Sequence, residues 1–482
     1  DLKEQEVATK ALRKGLLDFD RRQAWRGPEA YIELPTDLKQ VDIMIAEALE
    51  DHPDSDTLRA AVVTHAEPKR VLATLQSGEQ LEIGPEGLKA VGKALTDQAS
   101  PKQQIRRGAV IRVVQGSDAQ WAVRQLPEVE GAFVSMDPRT GLIRAMVGGF
   151  DFERNKFNHV TQAWRQPGSS FKPFIYSAAL EKGFTPATVV NDAPLFYNAG
   201  STGSRAWEPK NYDGKFEGPM TLRRALAKSK NMVSIRVLES VGTHYAQDWL
   251  TNFGFDAAKH LPYLPMALGA GSVTPLQMAD GYAVFANGGY RVNPTLVLKV
   301  TDGRGHLLAQ YRPNVLDESM RGINARNAFV MNSLLQEVAR TGTAARAQAT
   351  LKRPDLYGKT GTTNDSMDAW FAGYHPSLVA VVWIGYDQPR KLGDRETGGG
   401  LALPVWIDYM ATALRNTPVT ELSPPEGVVN IGGEWFYEEY TRSSGVRDVG
   451  LQSPEAEAGA PSAPSASEKS DILDMFGKPA GE

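Results

Sequence analysis

The spacing of hydrophobic and polar residues changes several times along the chain. Over residues 1–24, Val7, Ala8, Leu12, Leu16 and Leu17 recur at helical intervals among charges, and Gly27-Pro28 ends the pattern. An acidic helical piece is predicted from Leu38 to Leu49. From Leu58 the period shortens. Ala61–Thr64, Val71–Leu75 and Leu81–Ile83 read as strands separated by turn residues such as Ser77-Gly78. A polar helix is predicted over 85–98, followed by strands at 109–114 and 120–123. Such a run of short strands with one helix describes a small β-barrel of OB type.

A different texture begins at Pro127. Residues 132–137 and 142–147 flank Pro138-Arg139-Thr140-Gly141, a hairpin signal in which Pro and Gly supply the turn dihedrals. The next strands come only near the other end: Ala369–Tyr374, then the wholly apolar Leu378–Gly385, which predicts a buried central strand. Helices are predicted between them at 169–182, 221–240, 244–253, 275–287 and 325–339, with one more at 402–414. Strands from both ends of the sequence with helices between them predict one α+β domain closed by long-range pairing. From Ser443 the chain is rich in Ala, Pro, Ser, Glu and Gly, and 456–467 lacks the apolar content to bury a core. Within it, Asp471–Phe476 is a short amphipathic island, either a docking segment or an incidental part of the tail. The expected organisation is 1–36, a linker and helix associated with the α+β domain; 37–126, the OB-like module; 127–442, the α+β domain; and 443–482, a disordered tail.

Composition narrows the chemistry. With 482 residues, 41% hydrophobic and 23% charged, the chain is globular in type. Its 53 Lys+Arg and 57 Asp+Glu leave a net charge of -4, without the basic clustering of a nucleic-acid binder. The absence of Cys excludes disulfides, thiolate nucleophiles and Cys-ligated metals. The seven His show no His-x-x-x-His pair, so no metal or cofactor is predicted. A nucleophile here is therefore expected to be a hydroxyl activated by something other than His. No apolar run reaches the ~18 residues of a membrane span. The chain opens on Asp1 without an apolar leader, as expected of an excised part of a longer protein.

Three motifs follow one another in the α+β region: Ser169-Ser170-Phe171-Lys172, Ser229-Lys230-Asn231, and Lys359-Thr360-Gly361-Thr362-Thr363. Each alone is weak, because Ser caps, surface Lys and Gly turns are common. Together they make chemical sense. Positions i and i+3 of a helix share a face, so the Lys172 amine is expected to reach the Ser169 hydroxyl. A Lys desolvated beside other cations loses its proton more readily and can act as a base. Pro173 is a tension, since Pro is costly inside a helix, and it predicts a distorted first turn. Ser229 and Asn231, around a loop between helices, are placed to relay a proton and hold Lys172. Gly361 is expected to let a substrate backbone approach closely. Lys359 with the Thr360 and Thr362 hydroxyls suits a terminal carboxylate. The backbone N–H groups of Ser169 and Thr362 are the expected oxyanion hole of an acyl transfer through a Ser ester.

At these residues the sequence resembles the penicillin-binding proteins, whose motif set has this order. Further matches are Arg165-Gln166-Pro167-Gly168, Pro209 with Asn211-Tyr212, Val273–Ala279, Phe285–Gly289 and Gly342-Thr343-Ala344. The whole is similar to the transpeptidase region of class A, high-molecular-mass members, nearer the 1A than the 1B type. The resemblance implies an α+β fold like that of penicillin-binding proteins and serine β-lactamases, carrying a small OB-like insertion. It implies attack of Ser169 on the D-Ala–D-Ala bond of a stem peptide, transfer to an acceptor amine, and acylation by β-lactams. Asn231 and Lys359–Thr362 would bind the donor. It also implies a periplasmic location at the bacterial inner membrane, an anchor and a glycosyltransferase domain outside this chain, and an outer-membrane activator at the OB-like module, whose alternative role is to brace its neighbour. Two other readings remain open at this point: a hydrolytic relative, either a DD-carboxypeptidase or a β-lactamase, and a non-catalytic β-lactam sensor or scaffold.

Overall fold

The computed structural model describes residues 1–199, 205–313, 315–441 and 444–451. The chain forms two compact units, which part within helix α1 (Leu2–Asp20), between Gly15 and Leu16. The smaller unit comprises Leu16–Val129 with Asp151–Lys156.

In that unit β1 (Ala30–Tyr31), helix α2 (Leu38–Glu50), β2 (Arg59–Glu67), β3 (Arg70–Leu75), β4 (Gln80–Ile83), β5 (Ala109–Gln115) and β6 (Trp121–Arg124) follow in order. The sheet runs β1-β5-β2-β3-β4, with β6 also on β5. Strand side chains alternate between faces, and both faces are used. Ala61 and Val63 of β2 join Ile111 and Val113 of β5 in one core. Ala60, Val62 and Val110 meet Val41, Ile45 and Leu49 of α2 in another. Burial on both sides is why these strands read as continuous apolar runs. A register shift between Val63 and His65 coils β2.

Two expectations change here. The polar helix at 85–98 is only a short turn of α-helix, Pro85–Leu88, running into a 3-10 stretch, Lys89–Leu95, because Gly87 and Gly92 weaken helix propagation. Residues 16–36 belong to the smaller unit rather than to the α+β domain, because β1 and an ion pair to the buried Arg112 stitch them to the sheet. Arg112 donates to Glu29 at 2.5 and 2.9 Å and to the Pro53 carbonyl at 2.6 Å.

The larger unit is built on β7 (Glu130–Met136), β8 (Ile143–Val147), β13 (Tyr357–Thr362), β14 (Asp368–His375) and β15 (Leu378–Gly385), ordered β13-β14-β15-β7-β8 and antiparallel throughout. The apolar run 378–385 is the third of five strands, and every residue of it is buried. Its helices include α3 (Lys172–Glu181), α4 (Leu222–Lys228), α5 (Asn231–Val241), α6 (Pro275–Ala286), α7 (Ala325–Arg340) and α8 (Leu403–Ala413). Phe371 and Tyr374 lie on opposite faces of β14. Phe371 packs edge-on to Trp406 of α8, while the Tyr374 hydroxyl bonds Asn332 of α7. Helices therefore cover both faces of the sheet, as the α+β expectation requires.

This unit also carries smaller sheets, in which β9 (Val189–Asp192) pairs with β10 (Gly218–Thr221) and β16 (Val428–Ile431) with β17 (Glu434–Tyr437). A separate hairpin joins β11 (Lys299–Thr301) to β12 (Leu307–Gln310). The expected tail is corrected at its start. Asp448–Val449 form β18, parallel to β9, and Val446 N–H donates to Gly183 O at 2.8 Å. Backbone pairing needs no apolar side chains, so composition could not reveal it. The rest of the tail, including the 471–476 island, lies outside the described residues.

Candidate active site

The turn before α3 is 3-10, Gly168–Phe171, and the α-helix proper begins at Lys172. This resolves the tension over Pro173. It occupies the first turn of α3, where a missing N–H has no intrahelical acceptor to lose. The turn is held from several sides. Ser170 Oγ donates to Pro167 O at 2.7 Å, the Tyr282 hydroxyl donates to Ser170 O at 2.5 Å, and Phe171 stacks on His260. Gly168 adopts φ +56°, and a Cβ there would stand 2.6 Å from the Thr362 carbonyl oxygen. A glycine is what lets the turn carrying Ser169 lie against β13.

Ser229 ends α4 in the left-handed conformation, φ 58° and ψ 47°; Lys230 is extended and Asn231 opens α5. The predicted helix over 221–240 is thus two helices with a sharp break between them. Lys172 Nζ lies 2.8 Å from the Ser229 carbonyl oxygen, 3.2 Å from Ser229 Oγ and 2.7 Å from Asn231 Oδ1. Lys359 Nζ donates to the same Ser229 Oγ at 2.9 Å and to Thr360 O at 3.0 Å. One hydroxyl therefore bridges two lysines that are both 0% exposed. Among the described residues no hydrogen bond joins Lys172 to the Ser169 hydroxyl; the Lys172 amine is engaged on its Ser229–Asn231 side.

The electrostatics follow from this burial. Desolvation, reinforced by the Lys359 charge, pulls Lys172 well below the ordinary lysine range. Desolvation alone brings Lys359 down to about 7. Lys230 behaves in the opposite way. It is buried as well, yet it stands 2.9 Å from Glu217, 3.1 Å from Asp213 and 3.5 Å from Asp192. Burial opposes its charge, but these carboxylates outweigh burial and raise its pKa. Asn211 completes this layer: its Nδ2 donates to Asp192 at 2.7 Å, and its Oδ1 accepts from the Asn231 N–H at 2.8 Å.

Lys359-Thr360-Gly361-Thr362 does not precede a strand, as the sequence suggested, but forms β13 itself, at the end of the sheet. Thr363 N donates to Asp368 O, so in this antiparallel register Thr360 and Thr362 direct their backbone groups away from β14, to the free edge. Gly361 has a different reason than expected. A Cβ there would meet Pro167 O at 2.6 Å and Ser170 Cβ at 2.9 Å, so its bareness admits the turn that carries Ser169. Thr360 Oγ1 pairs with Thr343 Oγ1 at 2.7 Å, and Thr362 Oγ1 accepts from Gly398 N at 3.1 Å.

A cleft of about 810 Å³ is lined by Ser169, Ser229, Asn231, Thr360 and Thr362, with Thr343 and the 207–213 loop among its other walls. Lys172, Lys359 and Gly361 lie behind this surface. Lys359 thus acts on the cleft through Ser229 and the strand edge. The motif reading passed over Asp192, the role of Lys230, and the buried pair of Arg165 with Asp368 at 2.7 Å. Asp368 also accepts from Trp383 at 2.9 Å and from Thr363 Oγ1 at 3.3 Å, and so fixes the end of β13. Arg165 stood in the sequence match, but only the fold pairs it with a residue so distant in the chain. Among the described residues no group of three or more His, Cys, Asp or Glu could hold a metal.

Residues 131–405 match the penicillin-binding protein transpeptidase domain, and residues 25–129 match the penicillin-binding protein OB-like domain. The chain belongs to the penicillin-binding protein transpeptidase family. Penicillin-binding protein 1A of Neisseria flavescens is 46% identical over 445 residues, covering 92% of this chain and 55% of that protein. Its counterpart in Pseudomonas aeruginosa is 38% identical, covering 89% and 57%. The chain thus spans about half the length of the curated relatives it matches. The crystal structure of penicillin-binding protein 1A from Haemophilus influenzae superposes with a TM-score of 0.83 at 33% identity, over 90% of this chain and 70% of that one. PonA1 from Mycobacterium tuberculosis, solved in complex with penicillin V, gives 0.53 at 25% identity, over 80% and 94%. Family membership accounts for the association of a transpeptidase fold with an OB-like module.

Proposed function

We propose that this chain is the acyl-transferring part of a peptidoglycan cross-linking enzyme and that Ser169 is its nucleophile. One observation carries the reading: a fully buried Lys172, whose hold on its proton is weakened by desolvation and the Lys359 charge, is held by Ser229 and Asn231 beside the cleft that Ser169 lines. Neutral Lys172 takes the Ser169 proton as Oγ attacks the carbonyl carbon of a D-Ala–D-Ala bond. The oxyanion forms between the backbone N–H groups of Ser169, in a first turn without an intrahelical acceptor, and Thr362, at the open edge of β13. The proton passes from Lys172 through the Ser229 hydroxyl to the leaving amine, and D-Ala departs. The acceptor amine then attacks the Ser169 ester, loses its proton by the same route, and Ser169 Oγ recovers a proton as the cross-link forms. The Thr360 and Thr362 hydroxyls meet the donor's terminal carboxylate, and Lys359 supplies the charge behind them.

A β-lactam enters as a mimic of the donor and stays as an ester on Ser169. The whole protein is proposed to work on the periplasmic side of the inner membrane, with its anchor and a glycosyltransferase domain outside this chain. Labelled penicillin should form an adduct that persists for many minutes and is lost in Ser169→Ala. Lys172→Ala should slow acylation by about 10²–10⁴-fold, the usual scale for a general base. An adduct that hydrolyses within seconds would favour the β-lactamase reading. Acylation retained in Ser169→Ala would remove Ser169 from the mechanism.

A further inference from the structure

The smaller unit holds a second cavity, of about 350 Å³, formed wholly by its own residues. That size is at the lower end of small-molecule sites, about 300–1,000 Å³. One wall is apolar, with Leu17, Trp25 and Val91; Trp25 is fixed by its indole N–H donating to Gln103 O at 2.9 Å. The other wall carries Arg124. Its Nη1 donates to the Val123 carbonyl at 2.8 Å, but its Nε–H is buried without an acceptor. Buried guanidinium donors normally find partners, so an orphaned one asks for an explanation. The edge left over is the Nε/Nη2 side, which grips a carboxylate through two parallel hydrogen bonds.

The charges around it point the same way. Arg21 lines the same cavity, close enough for its charge, after burial itself, to make Arg124 harder to protonate. Lys89 is a third cation in the lining. Of the two acidic residues there, Asp20 is taken by Arg26 at 2.9 Å, which leaves the exposed Glu86. A trapped water could accept from Arg124 Nε but brings no negative charge to a site where Arg21, itself paired with Asp18 at 3.4 Å, stands near Arg124. An anion does both.

We propose that this cavity binds a carboxylate carried on a small apolar body, with Arg124 gripping the carboxylate and Trp25 covering the apolar part. None of the residues assigned to acyl transfer lines this cavity. The test is a titration of the full chain with N-acetyl-L-leucine, its C-terminal amide and inorganic phosphate, followed by the NMR signals of the Arg124 Nε–H and the Trp25 indole. The acid should move both signals saturably and the amide should not. Arg124→Gln should weaken binding by about tenfold or more, on the scale of a lost charge-assisted pair. Arg124→Lys, which keeps the charge without the planar edge, should also weaken it. Glu86→Gln should tighten binding by removing a repelling charge, and it keeps the question decidable where an Arg124 variant fails to fold. Equal binding of the amide, tighter binding of phosphate than of the acid, no saturable shift, or an unchanged affinity in Glu86→Gln would each overturn the proposal.

Discussion

Lys172 and Lys359 differ in what each needs from its proton. In the proposed mechanism Lys172 has to shed its proton to act as base, and burial with a like charge nearby lowers the pH at which it does so. Lys359, brought to about 7, is charged below that pH and progressively neutral above it. Acylation should therefore rise with pH as Lys172 deprotonates and fall as Lys359 does, with apparent values that belong to the coupled pair. Lys359→Met removes the like charge. It should slow acylation by about 100-fold or more, as for other relay groups, and move the rising limb of the residual rate to higher pH. Stability carries the opposite sign. A lysine near 7 in the fold and near its ordinary 10.5 unfolded burdens the native state fully below about pH 7, and the burden fades as pH climbs towards 10.5. The melting temperature of Lys359→Met should thus gain on the parent more at pH 6 than at pH 10. An acylation limb that stays in place, or a stability difference that ignores pH, would mean that Lys359 and Lys172 do not sense each other.

At the scale of elements, the break between α4 and α5 decides whether Ser229 meets Lys172 at all. The helical periodicity of 221–240 runs straight through it, and no Gly or Pro marks the spot. Ser229 in the left-handed region costs about 1–2 kcal/mol, a strain that a Gly would not pay. Ser229→Gly and Ser229→Ala should both lose acylation with the hydroxyl, while the Gly variant should be the more stable by about 1 kcal/mol in chemical unfolding. Equal stabilities would show that the break is not strained. The same contrast explains what was legible. The three motifs pointed to Ser169, Lys172, Ser229, Asn231 and Lys359 because residue type and local spacing carry that chemistry. The 3-10 turn before Lys172, the packing of Gly361 against Pro167 and Ser170, and the Arg165–Asp368 pair were not legible, since each depends on a segment far away in sequence.

For the whole molecule, long-range closure was the more readable part. The wholly apolar run 378–385 announced a central strand, and β15 does pair with β7, which lies far earlier in the chain, in the Glu130–Phe150 segment of the larger unit. The partition of the N-terminal residues was not readable, because α1 keeps one helical period across a division that falls at Gly15. The two units have cores made of different residues: Ile111, Val113 and their neighbours in one, and β15 with its flanking helices in the other. Chains of this kind commonly unfold in more than one step. A ligand that binds only the native form of one unit stabilises that unit alone. Acylation by penicillin should therefore raise one calorimetric transition, that of the unit containing Ser169, and leave the other within about a degree of its unliganded value, the pattern expected when linkage acts on one cooperative unit. In Ser169→Ala both transitions should ignore the drug. A single transition that shifts as a whole would show that the separate cores melt as one cooperative structure.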